Sequence, residues 1–118
     1  MPKVMLAEDD TIMLSLLKTL LKLEGYDPII LDEQENVLDA IFREKPDCLL
    51  IDVHLTQGNG LDIVQKIRID ERIHNVFIIM QSGMNLQDEC LTAGANVFLL
   101  KPYLPEVLIH ELKSCIHI

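Results

Sequence analysis

The pattern of this chain predicts a layered α/β fold: one parallel sheet with helices on both faces. Three observations support this. Five apolar runs (3–7, 28–31, 48–51, 76–80 and 97–100) each read as a strand, and each is followed by a stretch with helical spacing. The third run, from Cys48 to Ile51, is apolar on both faces, as a central strand covered from both sides must be. All 5 glycines fall at boundaries between these elements. Strands alternating with helices imply a parallel sheet with right-handed crossovers.

The elements follow in order. Lys3 to Ala7 form the first strand. Met13, Leu16, Leu17, Leu20 and Leu21 recur at helical spacing, closed by Gly25 as a C-terminal cap. Pro28 has no N–H to donate, so the second strand, 28–31, belongs at a sheet edge. Val37, Leu38, Ile41 and Phe42 mark a second helix that ends before Pro46. Leu61, Val64, Ile67 and Arg68 mark a third, preceded by a tight turn at Gly58, Asn59 and Gly60. A short fourth helix over 86–93 is capped by Gly94. Pro105 opens a last helix that carries Leu108, Leu112, Cys115 and Ile116.

The 118 residues, 49% of them hydrophobic, suit one domain with a buried core, and 1–118 reads as a single unit. No apolar stretch is long enough to span a bilayer. Met1, Pro2 and Lys3 lead straight into a strand, leaving no room for a secretory signal. The net charge of −9 disfavours direct contact with nucleic acid or anionic lipid, so action on genes would need a protein partner. Cys48, Cys90 and Cys115 lack metal spacing and read as buried free thiols in a reducing cytoplasm. His54, His74, His110 and His117 also lack metal spacing, which points to solvent-exposed or packing roles.

The chemistry sits at the strand ends. Glu8 and Asp9 follow the first strand, Asp52 the third, Ser82 the fourth and Lys101 the fifth. In a parallel sheet these ends share one edge, where ligands bind. Glu8, Asp9 and Asp52 would crowd like charges together, which raises a carboxyl pKa or draws in a cation. Oxygen ligands without His or Cys suit Mg²⁺. One carboxylate could then act as a nucleophile toward phosphorus. Lys101 would offer a positive charge to phosphate oxygens, Ser82 a hydroxyl, and Gly83 space. Asp10 is read as the cap of the first helix.

With these residues in this order, the chain resembles the receiver domain of two-component response regulators over essentially its whole length. Glu8 and Asp9 match the acidic pair, Asp52 the phosphoacceptor, Ser82 the Ser/Thr position, and Lys101 with Pro102 the Lys-Pro pair. The resemblance implies a flavodoxin-like sheet in the order 2-1-3-4-5 with five helices. It implies Mg²⁺ held by Glu8, Asp9, Asp52 and the backbone carbonyl of His54, and a cis Lys101–Pro102 peptide. It implies a histidine kinase or histidine phosphotransfer protein as phosphoryl donor. Phe98 takes the place of the switch aromatic, paired with Ser82, and without a hydroxyl it must work by packing. Tyr103, Leu104, Val107 and Leu108 crowd the start of the last helix. The face made by the fourth helix, fifth strand and last helix is therefore expected to meet a downstream protein or a second copy.

The sequence departs from the family pattern at Thr56, where proline is usual; this should loosen the loop after Asp52. His54 and Met84 occupy the positions that face the phosphoryl group. Two other readings stay open. A phosphatase of the haloacid dehalogenase type also uses an aspartate nucleophile, but needs an acid two residues later, where His54 stands. A receiver-shaped interaction module would never turn over phosphate.

Overall fold

The computed structural model describes residues 1–32 and 34–116. In chain order the elements are β1 (Lys3–Ala7), α1 (Thr11–Leu23), β2 (Asp27–Ile30), α2 (Val37–Glu44), β3 (Cys48–Asp52), β4 (His54–Leu55), β5 (Gly58–Asn59), α3 (Gly60–Ile69), β6 (Phe77–Ser82), α4 (Gln87–Ala93), β7 (Val97–Leu100) and α5 (Pro105–Cys115). Five strands form one parallel sheet in the order β2-β1-β3-β6-β7. This is the flavodoxin-like order that the resemblance implied. Strand β2, with Pro28, lies at an edge.

The sheet divides the core in two. Leu17 and Leu21 of α1 pack with Leu108, Ile109 and Leu112 of α5 on one face, over Leu6 and Leu50. On the other face Ala40 and Ile41 of α2, Val64 and Ile67 of α3, and Cys90 and Ala93 of α4 cover Leu49, Ile51 and Ile78. Every residue of β3 is buried, because both faces are covered.

Local chemistry sets the helix ends. Asp10 caps α1, its carboxylate accepting from the N–H groups of Ile12 at 3.0 Å and Met13 at 3.1 Å. Gly25 has φ 92°, which lets the Tyr26 N–H reach the Leu21 carbonyl at 2.9 Å and closes the helix. Pro105 is the first residue of α5, where its missing N–H removes nothing.

Several boundaries differ from the sequence expectation. Strand β2 runs over Asp27–Ile30 instead of 28–31. Strand β6 begins at Phe77 and continues through Gln81 and Ser82, so two polar side chains enter the sheet. Gly58 and Asn59 form no tight turn: they are strand β5, pairing antiparallel with β4, and Gly60 already belongs to α3. The turn is made by Thr56 and Gln57. Cys48 and Cys90 are buried free thiols, whereas Cys115 is exposed. His117 lies outside the described residues. Among those residues no helix is long and apolar enough to cross a membrane.

Arg68, at the end of α3, clamps the far side of the fold. Its guanidinium donates to the carbonyls of Gly94, His74 and Val76, each at 2.7 Å, and to Asn96 Oδ1 at 2.8 Å. Burial pushes this guanidinium below its ordinary pKa. An Arg68→Ala variant is expected to lose about 3 kcal/mol, since several carbonyls lose their donor at once. Urea unfolding measures this, and an unchanged midpoint would show the clamp to be dispensable.

Candidate functional site

The carboxyl ends of β1, β3, β6 and β7 bring Glu8, Asp52, Ser82 and Lys101 to one edge. The register sets their depth. Asp52 pairs with Gln81, and Ser82 pairs with Leu100, directly before Lys101. Glu8 (8% exposed) and Asp52 (7%) are buried, as are Gln81 and Ser82.

Lys101 joins the two acids. Its ammonium donates to both Glu8 oxygens at 3.1 Å and to Asp52 Oδ2. Glu8 also accepts the Asp10 N–H at 3.2 Å and the Gln81 side-chain amide at 3.0 Å. Even so, burial pushes the Glu8 carboxyl above its ordinary pKa, and the neighbouring Asp52 carboxylate adds to the rise; Lys101 opposes it without cancelling it. Burial pushes the Lys101 ammonium down, but hydrogen bonds to Asp52 and Glu8 outweigh that and leave it raised. Two buried carboxylates thus share one cation, and the pocket carries surplus negative charge.

The remaining site residues take distinct places. The His54 N–H donates to Asp52 Oδ1 at 3.0 Å, which fixes the carboxylate from the loop side. Ser82 Oγ accepts the Met84 N–H at 3.1 Å, and the Ser82 carbonyl accepts the Lys101 N–H at 2.8 Å. Phe98 is half-buried against the core face that holds α4. The Lys101–Pro102 peptide is cis. Asp9 stands apart from the others. Its Oδ2 accepts both the backbone N–H of Thr56 at 2.6 Å and the Thr56 hydroxyl at 2.8 Å. Among the described residues no three acidic, His or Cys side chains converge closely enough to hold a metal ion. Thr56 therefore ties the loop down, where its replacement of proline had suggested loosening.

Two partners in the site had no signal in the sequence pattern. Gln81 continues an apolar strand and looks like its end, yet it is fully buried beside Glu8. Tyr103 looks like a helix-start apolar residue, yet its hydroxyl donates to Gln81 Oε1. Burial raises the Tyr103 phenol, and the Glu8 and Asp52 charges raise it further. A polar chain runs from Tyr103 through Gln81 and Glu8 to Lys101 and Asp52. A buried amide in a central strand is tolerated because both of its ends are satisfied.

Chemically, the edge offers a buried carboxylate, a lysine able to meet anionic oxygens, and hard oxygen donors with unmet negative charge. That donor set fits a divalent cation of the Mg²⁺ kind, as is general for the family to which the comparisons lead. The response regulator receiver domain family matches residues 4–113. Chemotaxis protein CheY1 of Helicobacter pylori is 32% identical over 120 residues, covering 94% of this chain and 94% of CheY1. Transcriptional regulatory protein YxdJ of Bacillus subtilis is 30% identical over 114 residues, covering 97% of this chain but 50% of YxdJ. The chain thus spans about half the length of YxdJ. The receiver domain of Francisella response regulator 1452 superposes with a TM-score of 0.86 at 25% identity, covering 97% of this chain and 95% of that one. Matched along nearly its whole length, the chain belongs to the response regulator receiver domain family of two-component systems.

Proposed function

We propose that the chain is a phosphoacceptor that receives a phosphoryl group on Asp52 from the phosphohistidine of a histidine kinase or histidine phosphotransfer protein. The observation that carries this reading is the Asp52 carboxylate itself: buried at a strand end, oriented by the His54 N–H and gripped by Lys101 beside a second buried acid. An Asp52 oxygen attacks the phosphorus. The phosphorus–nitrogen bond breaks, the imidazole leaves with the bonding pair, and an acyl phosphate forms on Asp52. Glu8, Asp9, Asp52 and the His54 carbonyl are the residues that would hold Mg²⁺, which when bound offsets charge on the phosphoryl oxygens. Lys101 turns toward the new phosphoryl oxygens, and the Ser82 hydroxyl can leave the Met84 N–H to donate to them. The chain catalyses only its own phosphorylation and dephosphorylation.

The output follows from the same groups. Moving Ser82 and Lys101 disturbs the ends of β6 and β7, and Phe98 repacks between them and α4. Leu91, Leu100, Leu104 and Val107 are each at least 40% exposed on the α4–β7–α5 face, an apolar surface for a downstream protein or a second copy. The acidic net charge points to a protein and not to nucleic acid as the direct contact. A phosphatase role is disfavoured because the position of the leaving-group acid carries His54, an exposed imidazole, in place of a carboxylic acid.

Acetyl phosphate with Mg²⁺ tests the proposal. Intact-protein mass spectrometry should show a gain of one phosphoryl group that depends on Mg²⁺ and is absent in Asp52→Asn. An equal gain in the Asn variant would refute Asp52 as acceptor, and rapid turnover of assorted phosphate esters would favour the phosphatase.

A further inference from the structure

The Thr56 grip on Asp9 is a contact that the phosphoacceptor reading alone does not require. Two donors from one residue, the N–H at 2.6 Å and the hydroxyl at 2.8 Å, converge on the single oxygen Asp9 Oδ2. Hydrogen bonds to an ionised carboxylate are the stronger kind. Glu8 and Asp52 meet through Lys101, whereas Asp9 is held by a loop 47 residues away in sequence. Thr56 is the first of two turn residues between β4 and β5. Its neighbour Gln57 ties the same turn to the start of α2: Gln57 Oε1 accepts the Val37 N–H at 3.4 Å, and Gln57 Nε2 donates to the Glu35 carbonyl at 2.9 Å.

From this geometry we infer that Thr56 is a latch, a positioning residue that keeps Asp9 away from the Glu8–Asp52 pair until a divalent cation draws it in. The inference rests on the reading of Glu8, Asp9 and Asp52 as the cation site. A cation that recruits Asp9 must break both Thr56 hydrogen bonds, so the latch lowers cation affinity. By reciprocity, cation binding loosens the hairpin, and through Gln57 the start of α2. The hairpin and α2 then report cation binding on a face distinct from α4–β7–α5. A proline at this position would have no N–H and no hydroxyl to give, so the latch belongs to the threonine.

Thr56 is exposed and lies outside the left-handed backbone region, and the first position of a two-residue turn accepts proline, so substitutions there leave the core intact. The probe is Mg²⁺ alone, titrated by calorimetry into the 118-residue chain stripped of divalent ions. Thr56→Val, which lacks the hydroxyl, should bind Mg²⁺ several-fold more tightly, and Thr56→Pro, which lacks both donors, about tenfold or more. In the wild type the Thr56 amide proton should start far downfield and move upfield as Mg²⁺ saturates, with the Val37 amide moving in step. Unchanged or weaker binding in both variants, or a Thr56 amide that stays in place, overturns the latch. If the wild type takes up Mg²⁺ and is phosphorylated yet the variants match it, only the latch fails. If the wild type binds no Mg²⁺ at all, the cation-site reading fails and the latch with it.

Discussion

A Lys101→Met variant is expected to lose about 2 to 3 kcal/mol of stability at neutral pH and to regain most of it in acid. Lys101 is the one cation in contact with both Glu8 and Asp52 among the described residues. Removing it leaves two buried carboxylates facing each other. A fully buried pair broken in this way loses about 3 to 5 kcal/mol; the Lys101 side chain keeps 24% of its surface exposed, which tempers the loss. The pH dependence follows from Glu8. Its folded pKa already lies above the ordinary 4.5, because burial penalises the charged form. The folded state therefore holds that proton more tightly than the unfolded one. The resulting stability is fully present below the unfolded value and is lost as pH rises through the folded one. Lys101 opposes the rise, so deleting it widens the window and deepens the loss at pH 7. Guanidinium unfolding at pH 7 and near pH 4.5 measures both ends. Equal losses at the two pH values would mean that packing of the lysine stem, and not charge, explains the effect. If the proposed cation site is right, millimolar Mg²⁺ should restore part of the loss at pH 7, because a ligand of the folded state alone stabilises it.

The second large effect concerns a residue with no side chain. Gly60 opens α3, and its N–H donates to the Val53 carbonyl at 2.7 Å. A Cβ there would collide with the backbone carbonyl oxygen of Asp52 and come within 3.1 Å of Val53 Cα. Neither is a flexible side-chain end that could step aside. Helix propensity alone predicts that Gly60→Ala gains about 1 kcal/mol. The collision predicts the opposite: a net loss of about 2 to 3 kcal/mol, as overpacking against backbone gives. It also displaces the peptide that carries Asp52, the proposed phosphoacceptor. A shift of about 1 Å at a reacting group lowers rates about 100-fold, and the acetyl phosphate reaction of Gly60→Ala should slow on that scale. A variant that is more stable than the wild type and phosphorylated at the same rate would show that the loop absorbs the methyl group.

The sheet was legible because its evidence is local. Cys48 to Ile51 had to be a central strand, since nothing polar interrupts it, and Pro28 had to lie at an edge, since proline cannot donate to a neighbour. The Lys101, Glu8 and Asp52 cluster was legible for a related reason: parallel strands bring their ends to one side whatever lies between. What the pattern hid depends on contacts between distant residues. Gln81 follows an apolar run and looks like its polar end, and only the packed sheet shows that it is buried beside Glu8. Gly58 and Asn59 carry the composition of a turn, yet pairing with His54 and Leu55 makes them a strand and moves the turn to Thr56 and Gln57. Thr56 looked like the mere absence of a proline. Its N–H and hydroxyl gain meaning only once folding sets Asp9 beside them.

The sequence holds 2 tyrosines and no tryptophan. Tyr26 is sealed in the apolar core, its hydroxyl the one buried side-chain polar atom without a hydrogen-bond partner among the described residues. Tyr103 ends the polar chain that begins at Asp52. The two rings therefore sit in different settings: the near-ultraviolet emission of Tyr103 is expected to respond to a change in charge at the Asp52 carboxylate, with Tyr26 as an internal reference and no label attached.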